Sequence, residues 1–315
     1  MKTGYQTKYF NLHQIVDGVY AALAVPGSGA WCNAGIVNLG GQTLVFDTLF
    51  TPQAAQELRR YAEQLTGRPT TWVINSHRHA DHVLGNQVFA DAQIVATSTT
   101  REQIAERGAA FIAHAKADTA FLGEFAAQID REPDERTRTK MITMLADYRA
   151  LEAALRTLEL TLPNVTFTER MAFHGTRRTA ELITYGGGHS LSDAFLYLPE
   201  EKIMFAGDIV QVQTHPSMSD GNPEQWLVML EQVAMLDIER IVPGHGPLGG
   251  REDLDLTRQY IHDLQRHAAA AVERGLSAEQ AGATDVLAPY AAWDAPLIFY
   301  KNMQFLHERL LKARL

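Results

Sequence analysis

A chain of 315 residues, 46% of them hydrophobic, can bury a large core, and its formal net charge of −9 argues against a protein that tracks a nucleic-acid backbone, which needs a positive footprint. A single cysteine, Cys32, excludes any disulfide framework within the chain. There is no apolar run of the roughly 18 residues that a membrane span requires, and residues 1–10 (MKTGYQTKYF) carry no apolar export segment, so the expectation is a cytoplasmic protein with no membrane partner.

In chain order, short strands are expected at residues 19–25, 34–39 and 43–46, with the Gly-rich stretch Pro26-Gly27-Ser28-Gly29 after the first and the turn Gly40-Gly41 before the third. Pro52 opens a helix whose apolar positions Ala55, Leu58, Tyr61, Ala62 and Leu65 fall on one face, and Gly67 ends it. A strand at 71–74 delivers residues 77–82 to its C-terminal end, where ligands collect in layered α/β folds. Residues 101–160 are rich in Ala, Glu, Arg, Leu and Lys. They read as a helical insert with helices near 99–107, 117–130 and 135–160, the last two separated by Arg131-Glu132-Pro133-Asp134. Strands resume at 165–167, 171–174, 180–185, 194–198 and 202–206. A helix follows from Asn222-Pro223 to about Leu236, then a short strand at Ile241-Val242 and a mostly helical extension over about 251–315. The expected organisation is one domain, 1–315, with sheets in the middle, helices outside, and no repeats.

The strongest chemical signal is His77-Arg78-His79-Ala80-Asp81-His82, three imidazoles and a carboxylate within six residues of a chain that holds 12 histidines. Imidazole nitrogen is the commonest ligand of zinc-class ions and carboxylate oxygen a good companion. On a tight loop, His77 and His79 can aim at one point while Asp81 and His82 face a second. Three further residues sit beside glycines at strand ends: His189 in Gly188-His189-Ser190, Asp208 in Gly207-Asp208, and His245 in Gly244-His245-Gly246. Glycine there lets the backbone turn sharply and approach an ion.

This series, His77-x-His79-x-Asp81-His82 followed by His189, Asp208 and His245, resembles the signature of the metallo-β-lactamase superfamily over about residues 16–249. The resemblance implies an α/β (α+β) fold: a four-layer αβ/βα sandwich of two mixed β-sheets with outer helices and metals at one edge. It assigns His77, His79 and His189 to one ion and Asp81, His82 and His245 to a second, with Asp208 bridging. The cofactors implied are two divalent ions, zinc in the first place, with iron or manganese as variants. Asp47 resembles the first motif, whose aspartate orients a ligand. The chemistry implied is hydrolysis: Asp81 and Asp208 hold a metal-bridging hydroxide that attacks a carbonyl, since coordination lowers the pKa of bound water to about 7.

Departures from the branches of that family narrow the substrate. Cysteine or serine replaces Asp208 in the zinc β-lactamases. A Gly-Cys-Gly-Arg stretch marks the glyoxalase II and persulfide dioxygenase branches, where this chain has residues 209–215, IVQVQTH. Many homoserine-lactone hydrolases have tyrosine at the position of Gln211. What remains is a hydrolase of a small ester, thioester, lactone or lactam, with no nucleic-acid partner. An iron-dependent oxygenase or redox enzyme, or a non-catalytic ligand-binding member of the same scaffold, is the alternative. Trp31, on the loop after the glycines, is a candidate to close over substrate, and Gln211 and His215 are candidate contacts. His13, His174, His262 and His267 read as ordinary residues. The stripe Ile298, Met303, Leu306 and Leu310 reads as helix packing, and is also compatible with a homo-oligomer contact.

Overall fold

The computed structural model describes residues 5–313. Its first sheet has seven strands in sequence order: β1 (Phe10–Val16), β2 (Val19–Ala24), β3 (Ala34–Asn38), β4 (Thr43–Phe46), β5 (Thr70–Ile74), β6 (Gln93–Thr97) and β7 (Val165–Phe167). The first four pair antiparallel and the rest parallel. The second sheet runs β12 (Arg240–Pro243), β11 (Ile203–Gly207), β10 (Ala194–Leu198), β9 (Thr179–Thr184), β8 (Arg170–His174), with β11–β12 parallel and the others antiparallel. Both sheets are therefore mixed.

The sheets face each other through an apolar layer that includes Val37, Leu44, Phe46, Ile74 and Val95 from one side and Leu182, Leu196, Ile203 and Phe205 from the other. Each such side chain, fully buried, contributes about 1.5–3 kcal/mol. Contact is close: a Cβ on Gly35 of β3 would lie 2.3 Å from the Phe205 ring, so only glycine fits there. Helix α1 (Pro52–Thr66) covers the outer face of the first sheet with Ala54, Ala55, Leu58 and Ala62. Its start is set by the Thr51 side chain, which accepts the Ala54 N–H, and by Pro52 in the first turn; Gly67 ends it at φ 70. After the short α2 (Ala80–Val83) and the insert described next, α7 (Pro223–Val233), α8 (Glu252–Glu273) and α10 (Pro296–Ala313) cover the second sheet through Trp226, Tyr260, Leu264 and Phe299. The short α9 (Ala278–Gly282) joins the last two. Met303 and Leu306 of the C-terminal stripe are packed inside this layer.

The insert consists of α3 (Ser98–Gln103), which continues through a wider turn over Ile104–Gly108 into α4 (Ala109–Ala117), then α5 (Phe121–Arg131) and α6 (Glu135–Ala154). Three details differ from the sequence reading. The first helical run does not stop near Arg107 but extends to Ala117, because Ile104 and Ile112 both find buried positions and the wider turn absorbs Gly108. The second starts at Phe121, four residues late, where the Asp118 carboxylate accepts the Ala120 and Phe121 N–H groups. The third ends at Ala154, before Leu160. Strands β1 and β6 are additions that the sequence reading lacked.

Candidate metal centre

Every member of the histidine–aspartate series lies at one edge of the sandwich, on loops that leave strand ends. Asp47 follows β4, residues 77–82 follow β5, Asp208 follows β11, His245 follows β12, and His189 lies between β9 and β10. One sheet thus supplies the first motif and the other sheet the last three residues. Asp47 adopts φ 58, a left-handed conformation that a non-glycine residue keeps only when its surroundings enforce it. Gly244 has a steric reason: a Cβ there would fall 1.9 Å from Asp208 Oδ1.

Hydrogen bonds decide which nitrogen of each ring faces inward. Asp47 Oδ1 accepts the Ser76 N–H at 2.8 Å and Oδ2 accepts the Ser76 hydroxyl at 2.7 Å. With its proton committed, Ser76 Oγ must accept from His77 Nδ1, 2.9 Å away, so His77 Nε2 is left as a lone pair. His79 Nε2 donates to Asp220 Oδ2 at 3.0 Å, which leaves Nδ1 as its lone pair. His82 Nδ1 donates to Asp47 Oδ2 at 2.8 Å, which leaves Nε2. These freed atoms converge: His79 Nδ1 is 2.9 Å from His77 Nε2 and 3.0 Å from His189 Nε2. Lone pairs that face each other repel, and a shared cation resolves that repulsion.

Two clusters result, both capable of holding a divalent ion. His77, His79, His189 and Asp208 form one, and His82, Asp208 and His245 the other, each with its ligand atoms within 4.8 Å of one another. Asp81 Oδ2 is 3.3 Å from His245 Nε2 and 3.4 Å from His82 Nε2, so it adjoins the second. Asp208 belongs to both. Its Oδ1, like His82 Nε2, is buried without a hydrogen-bond partner, an arrangement that costs about 1–3 kcal/mol per group unless a cation takes up their lone pairs. Although burial opposes it, the facing imidazoles hold Asp81 and Asp208 well below the usual carboxylate range. Burial also opposes a charge on His245, yet Asp208 and Asp81 push it up to about 10. Burial pushes His189 down to about 4, so that ring is neutral. The donor set fits two divalent ions.

The clusters open on a cavity of about 530 Å³. Gln211 and His215 line it: Gln211 Nε2 donates to Asp208 Oδ2 at 2.9 Å, and His215 is buried. Trp31 lines it too, but it is wedged between Phe50 (5.2 Å) and Tyr148 of α6 (5.1 Å) instead of hanging free. Lys140, Thr143, Met144 and Asp147 of α6 and Asp294, Ala295 and Ile298 near the C-terminus complete the wall.

Several contributors escaped the sequence reading. Asp220, which orients His79, also accepts from Arg78 and from Arg107 of the insert; the His79 hydrogen bond and these cations hold it well below the usual carboxylate range. In sequence it is one residue of a Ser-Asp-Gly-Asn turn and carries no spacing signal. Asp193 accepts the Gly188 and Ser190 N–H groups and so fixes the His189 turn. Cys32, which the sequence reading used only to exclude disulfides, is in ligand range of Asp81 and His82. Its thiol donates to the Asp81 carbonyl at 2.9 Å, and burial pushes it up to about 12, so it is neutral.

Residues 31–245 match the family model described as the metallo-β-lactamase superfamily. The chain belongs to that superfamily. Among curated superfamily proteins, a type 2 metallo-β-lactamase of Bacteroides fragilis is 30% identical over 108 residues, 33% of this chain, and the match spans 43% of that protein, less than half its length. Among solved superfamily structures, a metallo-β-lactamase from Pontibacter korlensis superposes with a TM-score of 0.59 at 17% identity, covering 80% of this chain and 99% of that one. One from Hirschia baltica gives 0.58 at 18% identity, with 80% and 97% covered. At such identities the likeness is one of fold, and it agrees with the layered sandwich implied by the motifs.

Proposed function

We propose that this chain is a dinuclear metal-dependent hydrolase that acts on the carbonyl of a small ester, thioester, lactone or lactam. The observation that carries the reading is the set of three imidazoles whose outer nitrogens are tied up, so that their lone pairs point at two adjoining positions on the cavity floor. In this reading His77, His79 and His189 hold one ion, Asp81, His82 and His245 the other, and Asp208 both. Two divalent ions, when bound, supply Lewis-acid polarisation of a carbonyl and a water of lowered pKa. The chain's own residues do the rest. Asp208, fixed by Gln211, keeps the two positions at a set separation. Asp47 and Asp220 hold the rings in the required tautomers. The walls from α6 and the C-terminal segment confine a molecule over the floor and limit water. We treat the insert and the C-terminal helices as parts of one domain that shape this cavity.

The test is a panel of ester, thioester, lactone and lactam substrates, with metal content measured on the same purified protein. About two zinc-class ions per chain and turnover on one panel class are expected. Asp208→Ala should lower that turnover by at least about 100-fold while circular dichroism stays unchanged. A folded Asp208→Ala protein with near-wild-type turnover would place the chemistry elsewhere, and oxygen uptake by an iron-loaded protein would replace hydrolysis with oxygenation.

A further inference from the structure

His215 lies on the cavity wall, seven residues beyond Asp208, and the polar groups behind it fix more than its position. The chain of reasoning starts at Asn302 on α10. Its Oδ1 accepts the Met218 N–H at 2.9 Å and its Nδ2 donates to the Pro216 carbonyl at 2.7 Å, so the amide has one orientation only. The same Nδ2 donates to the Tyr260 hydroxyl at 3.3 Å. Tyr260 Oη therefore acts as acceptor toward Asn302. Its one other partner among the described residues is His215 Nδ1, at 3.0 Å, and its proton must go there. His215 Nδ1 is thus an acceptor, and the ring proton is on Nε2.

Nε2 makes no hydrogen bond to the protein among the described residues. The ring is held by Tyr260, Trp293 and Phe299, each with its centroid 5.6 Å away. Burial pushes the imidazole down to about 4, so near neutral pH the ring is uncharged. A residue of the cavity wall thus carries a fixed, neutral N–H with no protein partner among the described residues.

Resting on the hydrolase reading above, we propose that His215 Nε2–H is a preset hydrogen-bond donor to an oxygen of the substrate, held in that tautomer by Tyr260 and Asn302. A neutral donor selects a carbonyl or hydroxyl oxygen as readily as an anion, and so fits an uncharged ester or lactone. The residues that set it come from α8 and α10, beyond the stretch matched by the superfamily model. The C-terminal extension thereby acts as a specificity element.

Histidine-selective ¹⁵N NMR on the metal-loaded protein tests the tautomer, with His215→Gln assigning the resonance. Expected is the Nε2–H pattern in the wild type and a mixture of tautomers in Tyr260→Phe; an Nδ1–H pattern in the wild type would overturn the proposal. Sodium butanoate, as a probe for the acceptor oxygen, should shift the His215 Nε2 proton downfield, and an unmoved proton at saturation would overturn the substrate-facing role. Neither measurement needs turnover, so a protein without hydrolase activity would fail the functional reading alone. On 4-nitrophenyl butanoate, or on the panel substrate that is turned over, His215→Phe should lower kcat/KM about 10- to 100-fold. His215→Gln, whose amide N–H reaches a similar place, should recover to within about 5-fold of wild type. Equal losses in the two variants would show a packing role instead.

Discussion

Asp47 and Asp220 do similar work on different rings, and the difference is measurable. Asp220 meets His79 alone among the series, whereas Asp47 touches His82 directly and His77 through Ser76. Asp220→Asn should therefore weaken one ion about 10- to 100-fold and leave the other, while Asp47→Asn should loosen both. Stepwise chelator titration with colorimetric detection of released metal reads this out; simultaneous loss of both ions in Asp220→Asn would contradict the assignment. The same residues show what a sequence can carry at this scale. The six-residue run 77–82 was legible because its members are neighbours in the chain and their residue types are rare together. Asp220 was not, because its meaning arises from a contact across 141 positions with His79. Cys32 is a similar case: its value as a neighbour of Asp81 depends on a 49-residue separation that no local pattern encodes.

Among the elements, the insert and the Gly-rich loop are tied by one side chain. Asp147 of α6 accepts the Gly29 N–H at 2.7 Å with Oδ1 and the Gly27 N–H at 3.1 Å with Oδ2, and it lines the cavity. Burial pushes its carboxyl up to about 6 from an ordinary value of 3.8, against the pull of those two N–H groups. A raised acid pKa means that the folded chain binds this proton more tightly than the unfolded one. The contribution is full below about pH 4, falls as pH rises to about 6, and is flat beyond, with an upper bound of about 3 kcal/mol. Urea midpoints across that range should fall with pH more steeply for wild type than for Asp147→Asn; parallel profiles would refute the link. The strands missed from the sequence have physical reasons too. β6, QIVAT, is buried at four of its five positions and so lacks the alternation that marks a strand with one wet face. β1 alternates only until an irregularity between Gln14 and Val16 breaks its register. β7 and β10 were read at their observed bounds, as each is a short β-forming run between turn residues.

For the whole molecule, ions that bind only the folded chain stabilise it by mass action. At 100-fold over its Kd, one ion adds about 2.7 kcal/mol. Chelation should thus lower the melting temperature by roughly 5–10 °C while far-ultraviolet circular dichroism keeps its sheet signal. An unchanged melting temperature after complete metal removal, confirmed by elemental analysis, would mean that the clusters do not bind in the folded state. No helix among the described residues is long and apolar enough to cross a membrane. The donors come from both sheets: residues 77–82 from one, Asp208 and His245 from the other. With ions bound, the two halves of the sandwich could not part without breaking coordination, whereas apolar burial alone would drive the encounter that first brings them together. The ions should then act on lifetime more than on speed of assembly. The loaded protein should unfold many times more slowly than the stripped one, refold at nearly the same rate, and persist longest against proteases that wait for the sheets to separate.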